Sequence, residues 1–342
     1  MKKLGNVLYI LTPDSYLYCQ NDTIAVKVGG AEKVRIPSHT IESIVCFGNT
    51  TVSTPFIAFC AERNIGLSFL SEYGRFYGRV YGPASGNVLL RKKQYSAMDD
   101  QNISMALVKN ILYGKIANSK NVLLRCAREQ DSEEVKEKII NAANQITVLA
   151  QKIEDCEIID SLRGIEGVIA NTYFGVFDYL IKSDDENLRF EKRSRHPPEN
   201  NVNSLLSFLY ILLKNDVQCA LESVGIDPAA GFLHSLRPGR PSMALDMMEE
   251  LRAPLCDRLA LSLINLKQIK ADDFSQDEGG IMLSDKARRL VIDNWQKRKK
   301  EEIIHPFFNE KIPVGLIPYA QAQLLAKFFR GDIDAYPPFL WR

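Results

Sequence analysis

The sequence carries almost no excess charge of either sign. Its 43 Lys and Arg are offset by 42 Asp and Glu, a formal net charge of +1. A protein held to nucleic acid by bulk electrostatics is usually basic overall, so a nucleic-acid surface here must come from uneven placement of charge. Clustered cysteine is also missing. The seven cysteines, Cys19, Cys46, Cys60, Cys126, Cys156, Cys219 and Cys256, form no CxxC pair. That excludes a Cys-rich zinc site and argues against a disulfide framework, leaving buried thiols in a reducing cytosol. Long apolar runs are absent as well. The longest, Leu205–Leu213, is far below the ~20 residues of a membrane span. The start, Lys2-Lys3-Leu4 to Leu11, superficially resembles a signal peptide. Its apolar part is short, contains Gly5 and Asn6, and runs into Thr12-Pro13-Asp14 rather than a small-residue cleavage site. The expectation is a cytoplasmic protein with no membrane contact.

What is present is ample core material: 46% of the 342 residues are apolar, which excludes disorder. The first 84 residues read as a small β-sandwich-like domain. Short runs rich in β-formers, Val7–Leu11, Tyr16–Cys19, Ile24–Val28, Val34–Ile36, Ile41–Phe47, Leu67–Leu70 and Phe76–Tyr81, alternate with turn residues such as Asn21-Asp22, Gly29-Gly30 and Glu72-Tyr73-Gly74. One helix interrupts them, with Thr54 as N-cap, Pro55 at its first position and Glu62 at its end. Gly82–Gly86 marks a linker, drawn over 85–97. From 98 to 342 the period becomes helical, with segments near 98–118, 120–129, 132–154, 157–181, 202–223, 243–270, 284–301 and 316–330. The expected fold is α+β, an N-terminal β domain followed by a larger all-α catalytic domain.

Three segments of the helical part carry chemistry. Glu166 lies beside an apolar stripe of Ile158, Leu162, Ile165, Ile169 and Tyr173, flanked by Gly164 and Gly167. Each glycine costs ~1 kcal/mol relative to Ala inside a helix, so something must approach this helix closely. A ligand and a tightly packed neighbouring helix both satisfy that. His234 sits in a Gly/Pro-rich loop. After it, Ser242 reads as an N-cap opening a helix on which Asp246, Glu249 and Glu250 stand at i, i+3 and i+4, with Met243, Met247 and Leu251 packing on the other side. Carboxylates so spaced repel by a few tenths of a kcal/mol per pair, and a cation would reverse that. The bland alternative is a solvated acidic face countered by Arg252 and Arg258. Taken together, the acid, imidazole and acid form a mixed O/N set suited to Mg²⁺ or Mn²⁺. Arg163, Arg237, Arg240 and Arg252 stand near enough in sequence to hold phosphates.

At this point the chain resembles the CRISPR-associated endonuclease Cas one family, the integrase of spacer acquisition. The matching segments are Gly164-Ile165-Glu166-Gly167, Pro197-Pro198 with Asn203–Phe208, Gly225-Ile226-Asp227-Pro228 with Gly231–His234, and Gly239–Glu250, in the family's order and spacing. The Tyr336–Trp341 finish looks most like the subtype I-C branch. The resemblance implies that Glu166, His234 and Glu249 are ligands of Mg²⁺ or Mn²⁺, with Asp246 an active-site acid beside the metal. Spacing alone leaves Glu249 and Glu250 both open as the ligand; the family's pattern points to Glu249. It implies a homodimer formed through the β domain, assembled with a smaller dimeric second CRISPR-associated protein on double-stranded and branched DNA. An end-trimming nuclease partner is left open. The implied reaction is attack of a captured 3′-hydroxyl on a repeat-boundary phosphodiester, with water as nucleophile in nuclease mode.

Between Lys286 and Lys300 stand seven basic residues and one acid, Asp293. This stripe, with Arg288, Arg289, Lys297 and Arg298 as its contacts, could supply the phosphate grip that the net charge does not. A solvated basic face is the alternative. Two other functional classes compete: a non-catalytic DNA-binding architectural subunit whose acids form only structural ion pairs, and a metallo-phosphohydrolase of small phosphoesters. No tandem His-Asp signature supports the second.

Overall fold

The computed structural model describes residues 6–72, 76–80, 88–194, 197–277 and 280–341. The Gly82–Gly86 linker, the Tyr73-Gly74 turn, the first five residues and Arg342 lie outside them. The chain divides into two compact units, Met1–Gly86 and Asn87–Arg342, in a mixed α+β arrangement.

The first unit holds β1 (Asn6–Ile10), β2 (Ser15–Gln20), β3 (Thr23–Val28), β4 (Ala31–Pro37), β5 (Ile41–Phe47), β6 (Thr50–Val52), α1 (Thr54–Glu62), β7 (Gly66–Leu70) and β8 (Phe76–Val80). They form two four-stranded sheets, ordered β1-β5-β7-β8 and β4-β3-β2-β6. The β3–β4 hairpin turns on Gly29 and Gly30, both at positive φ (59° and 80°), the conformation that makes glycine the natural choice there. Leu17 and Ile24 from one sheet, Ile44 and Leu67 from the other and Phe56 from α1 are fully buried in one hydrophobic cluster. Each contributes roughly 1.5–3 kcal/mol of burial. Two details differ from expectation. Ser53, not Thr54, caps α1, its Oγ accepting from the Phe56 amide. The three residues of β6, too few to show alternation, pair in parallel with Ser15–Leu17.

The second unit holds α2 (Val88–Asp99), α3 (Gln101–Arg128), α4 (Glu133–Gln151), α5 (Ile159–Gly175), α6 (Asn201–Val224), α7 (Ser242–Leu251), α8 (Arg258–Asn265), β9 (Phe274–Asp277), β10 (Gly280–Leu283), α9 (Asp285–Lys300), β11 (Glu302–Ile304), β12 (Lys311–Pro313) and α10 (Ile317–Arg330). It is therefore not all-α: β9–β10 and β11–β12 are antiparallel ribbons. Residues 88–97, expected as linker, are helical. Leu90, Gln94 and Ala97 form a buried face, and Gln94 Nε2 donates to the Asp227 and Ala230 carbonyls at 2.9 Å each. Residues 101–128 make one unbroken helix rather than two, capped by Asp100, which accepts from the Asn102 and Ile103 amides. The single helix expected over 243–270 is three pieces. Arg252–Asp257 is a π-helical segment around Pro254, whose missing N–H cannot continue the α ladder. After α8 the chain turns at Lys267, φ 56°. Likewise α5 stops at Gly175, and Phe177–Leu180 is a 3₁₀ turn.

Candidate active site

Helices α3, α5 and α7 and the loop between α6 and α7 build the site. The loop is fixed first. Gly225 ends α6 at φ 87°. The Pro228 carbonyl accepts the Met243 and Ala244 amides (2.9 and 3.2 Å), satisfying the N-terminus of α7. Ser242 is therefore not the N-cap; its hydroxyl donates to the Ser235 carbonyl. Gly231 lies so close to α7 that a Cβ there would stand 2.5 Å from the Ser242 carbonyl carbon.

The three acids of α7 are all buried, so the solvated-face reading fails. They also diverge. Asp246 accepts the backbone amides of Phe232, Leu233 and His234 (2.6, 2.9 and 2.8 Å) and the His234 ring at Nδ1 (2.7 Å). A carboxylate only accepts, so a ring proton stands on Nδ1, the tautomer that in a neutral ring leaves the Nε2 lone pair free. Asp246, expected to be an active-site acid beside a metal, binds the histidine ring and its loop. Glu249 turns to the site. Its Oε1 lies 3.7 Å from His234 Nε2 and 2.9 Å from Arg252 Nη1, and its Oε2 lies 2.8 Å from Lys115 Nζ. Burial opposes ionisation of Glu249, but the Arg252 guanidinium and the Lys115 ammonium outweigh it and hold the carboxyl well below the usual range. Glu250 turns the other way, into the protein, and burial pushes its carboxyl up to about 7.

Glu166 reaches the same point from α5: Lys115 Nζ is ion-paired with its Oε1 as well as with Glu249. One ammonium thus stands between the two carboxylates. Among the described residues no three His, Cys, Asp or Glu side chains close on a common point as they stand. The donor chemistry nonetheless fits a hard divalent ion: two carboxylates already facing one cation, and an imidazole whose tautomer is fixed with Nε2 available.

Of the two explanations for Gly164 and Gly167, a tightly packed helix finds no support: a Cβ on either would meet nothing within 4 Å among the described residues.

A cleft next to the site is lined by Lys115, Tyr173, Arg193, Tyr210, Arg252 and Asp257 among others. Tyr210 and Tyr173 donate to the buried Asp257 carboxyl (2.7 and 3.0 Å), which burial pushes up to about 6. Arg193 and Arg252 lie over the Tyr210 ring at 5.2 and 5.1 Å. Sequence reasoning passed over Lys115, Arg193, Tyr210 and Asp257. For Lys115 a signal existed: it stands at i+4 from Ile111 and i−4 from Ser119 on the buried stripe of α3, a lone cation where apolar residues belong.

The expected phosphate contacts scatter. Arg163 donates through Nε to the Leu233 carbonyl and pairs with Asp160, so it holds the His234 loop. Arg237 is exposed. Arg240 is half-buried near Ser235. Arg252 is in the site, paired with Glu249. On α9, Arg288 is buried and paired with Asp285, Lys299 is buried against Asp216 at 2.8 Å, and Arg298 pairs with Glu301. Arg288 is thus corrected: it faces inward. Lys286, Arg289, Lys297 and Lys300 remain exposed, spaced by three, eight and three residues on one helical face.

Residues 8–297 match the family described as CRISPR associated protein Cas1. The chain belongs to the Cas1 family. A curated relative, CRISPR-associated endonuclease Cas1 1 of Chlorobaculum tepidum, is 46% identical over 343 residues covering all of both chains. The fold is similar to that of a Cas1 protein from Thermotoga maritima (TM-score 0.81, 25% identity, 95% of this chain and 97% of that one). It is also similar to a chain of a Cas6-RT-Cas1–Cas2 complex, covering all of this chain and 36% of that one (TM-score 0.85, 24% identity). A Cas4 exonuclease/Cas1 endonuclease fusion of Geobacter sulfurreducens is 33% identical, covering 99% of this chain and 61% of the fusion. Among the described residues no helix is long and apolar enough to cross a membrane.

Proposed function

We propose that this Cas1-family chain is a divalent-metal-dependent DNA endonuclease and integrase of CRISPR adaptation, joining prespacer 3′-hydroxyl ends to the repeat boundary. The observation that carries this reading is the pair of carboxylates, Glu166 from α5 and Glu249 from α7, facing one cation beside the Nε2 of His234. Glu166, Glu249 and His234 would hold Mg²⁺ or Mn²⁺. The ion would polarise the attacked phosphodiester and neutralise charge as it develops. In the exchange one P–O bond forms and one breaks, and the proton lost by the attacking hydroxyl ends on the leaving oxygen. With its Nε2 lone pair given to the ion, His234 would serve as a ligand and not as the general base. Lys115 and Arg252 supply positive charge beside the reacting phosphate, and the bare face of α5 at Gly164 and Gly167 leaves room for a sugar–phosphate backbone. Phosphate contacts further out fall to Arg289, Lys297, Lys286 and Lys300, with Arg237 and Arg240 on the His234 loop.

The further parts of the proposal rest on the family. They are a homodimer formed through the β unit, assembly with the smaller dimeric second CRISPR-associated protein, and a cytoplasmic location. An end-trimming nuclease partner is supported by the fusion relative. The Tyr336–Trp341 finish supports the I-C branch.

The deciding experiment compares wild type with Glu166→Ala and His234→Ala. It follows Mn²⁺- or Mg²⁺-dependent transfer of a short duplex with free 3′-hydroxyls into a supercoiled plasmid, with the small partner present. Transfer lost while melting temperature and DNA binding persist supports the reading. Active mutants, or a wild type that binds DNA and never joins it, leave a non-catalytic architectural subunit.

A further inference from the structure

The C-terminal segment is folded against the back of the helix that carries Glu249. Tyr336 and Phe339 are almost fully buried. The Tyr336 hydroxyl donates to Glu250 Oε1 at 2.6 Å, and the Phe339 amide donates to Glu250 Oε2 at 2.9 Å. Asn118 on α3 completes the clamp: its Nδ2 donates to the carbonyls of Glu250 and Phe339 (2.7 and 2.8 Å), and its Oδ1 accepts the Trp341 amide (2.7 Å).

We infer that Tyr336–Trp341 is a positioning element for Glu249, acting through Glu250; this deepens the metal-site reading and rests on it. Consecutive helical residues point about 100° apart. On α7 that step sends Glu249 to the site and Glu250 to the tail. On α3 the neighbouring pair divides in the same way. Lys115 binds Glu249, while Gly114 faces the tail so closely that a Cβ would lie 2.9 Å from Pro338 Cβ and 3.0 Å from Glu250 Cβ. The tail and the site are thus two sides of one α3–α7 contact. Without the tail, the Glu250 carboxyl keeps one of its three donors among the described residues, Gln321 Nε2 at 3.0 Å, and the cavity around it opens. A buried carboxyl with unpaired oxygens, ionised or not, draws its helix toward water. Glu249 and Arg252, on the same helix and one residue past its end, move with it, and site geometry tolerates only fractions of an ångström.

The test uses the full chain, a chain ending at Ala335, and Tyr336→Phe. Mn²⁺ affinity is read by electron paramagnetic resonance, strand-transfer kinetics with the small partner present, and amide hydrogen exchange over residues 246–251. The expected result for the shortened chain is Mn²⁺ affinity and turnover each at least about tenfold lower, KM for DNA within about twofold, and faster exchange on α7. Adding a peptide of residues 336–342 restores both. Tyr336→Phe moves the same quantities by about threefold, the scale of one hydrogen bond. The inference is overturned if only the melting temperature falls while Mn²⁺ affinity, turnover and α7 exchange stay at wild-type values. If the shortened chain does not fold, the same criterion is applied to Tyr336→Phe. If wild type itself neither binds Mn²⁺ nor joins DNA, the metal-site reading has failed; α7 exchange then decides the tail's role, faster exchange supporting it and unchanged exchange overturning it.

Discussion

Lys115 Nζ lies 2.8 Å from Glu249 Oε2 and is ion-paired at the same time with Glu166, so a single ammonium from α3 ties α5 to α7. Breaking a buried pair by removing one partner costs about 3–5 kcal/mol; Arg252 at 2.9 Å from Glu249 softens that here. Lys115→Met is therefore expected to lower metal-free stability by about 2–3 kcal/mol. Added Mg²⁺ or Mn²⁺ should raise the melting temperature of this variant more than that of wild type. An unchanged melting temperature that does not respond to metal would refute this.

Asp246→Asn preserves size but turns an amide NH₂ toward two of four donors, since each carboxylate oxygen accepts two. A loss of about 2–3 kcal/mol is expected from the broken network. Freed from its carboxylate, the His234 ring loses its fixed tautomer, and turnover should fall by roughly 10–100-fold. Denaturant melts and strand-transfer rates measure the two effects separately. Loss of stability with full turnover would show that Asp246 does not orient the ring.

Two glycines should respond in opposite ways. Gly164 is exposed and open around its Cα, so Gly164→Ala should stabilise α5 by up to ~1 kcal/mol. If DNA lies on this face, the same variant should bind DNA more weakly. Gly231→Ala places a Cβ 2.5 Å from the backbone of Ser242 and should cost about 1–3 kcal/mol. Chemical denaturation of both variants checks the signs; destabilisation by Gly164→Ala would mean that α5 is packed there after all.

Burial raises Asp257 to about 6 from an ordinary 3.8. The folded state therefore binds the proton more tightly than the unfolded state does. The neutral form's advantage is fully present below pH ~4 and is lost as pH rises through ~6, a change of about 3 kcal/mol from this group. In Asp257→Asn, which stays neutral, that fall in stability between pH 4 and 6 should flatten. Urea midpoints across this range measure it, and an unflattened slope counts against a buried carboxyl at this position.

On α9 the exposed and buried cations separate by experiment. Arg289→Ala with Lys297→Ala should leave the melting temperature unchanged and reduce the slope of log K against log salt by about 2. Lys299→Ala, which takes the ammonium from Asp216 and leaves it the Trp295 Nε1 donor at 3.1 Å, should cost about 2 kcal/mol with little change in that slope. Fluorescence anisotropy at several salt concentrations gives the slopes. A DNA affinity indifferent to Arg289 and Lys297 would remove this face from the interface.

Much of the molecule was legible along the chain. The switch from alternating to helical period, the Gly29-Gly30 hairpin turn and the order of the helices follow from local preferences that act over a few residues. Glu166, His234 and the three acids of α7 stood out as candidates by residue type and surroundings, but spacing left Glu249 and Glu250 both open, and the resemblance to the family singled out Glu249. What tertiary structure decided was the partner of each. Asp246, Glu249 and Glu250 fall within one turn and look alike in sequence. One meets a loop 12 to 14 residues upstream, the next a lysine on α3, the third a tail 86 to 89 residues downstream. A 100° step between neighbours separates a site acid from a buried clamp only when the surrounding helices are in position. The same holds for the inward turn of Arg288 and Lys299 and for the bare face at Gly164 and Gly167. Periodicity gives a residue its face, but only long-range packing sets what that face meets.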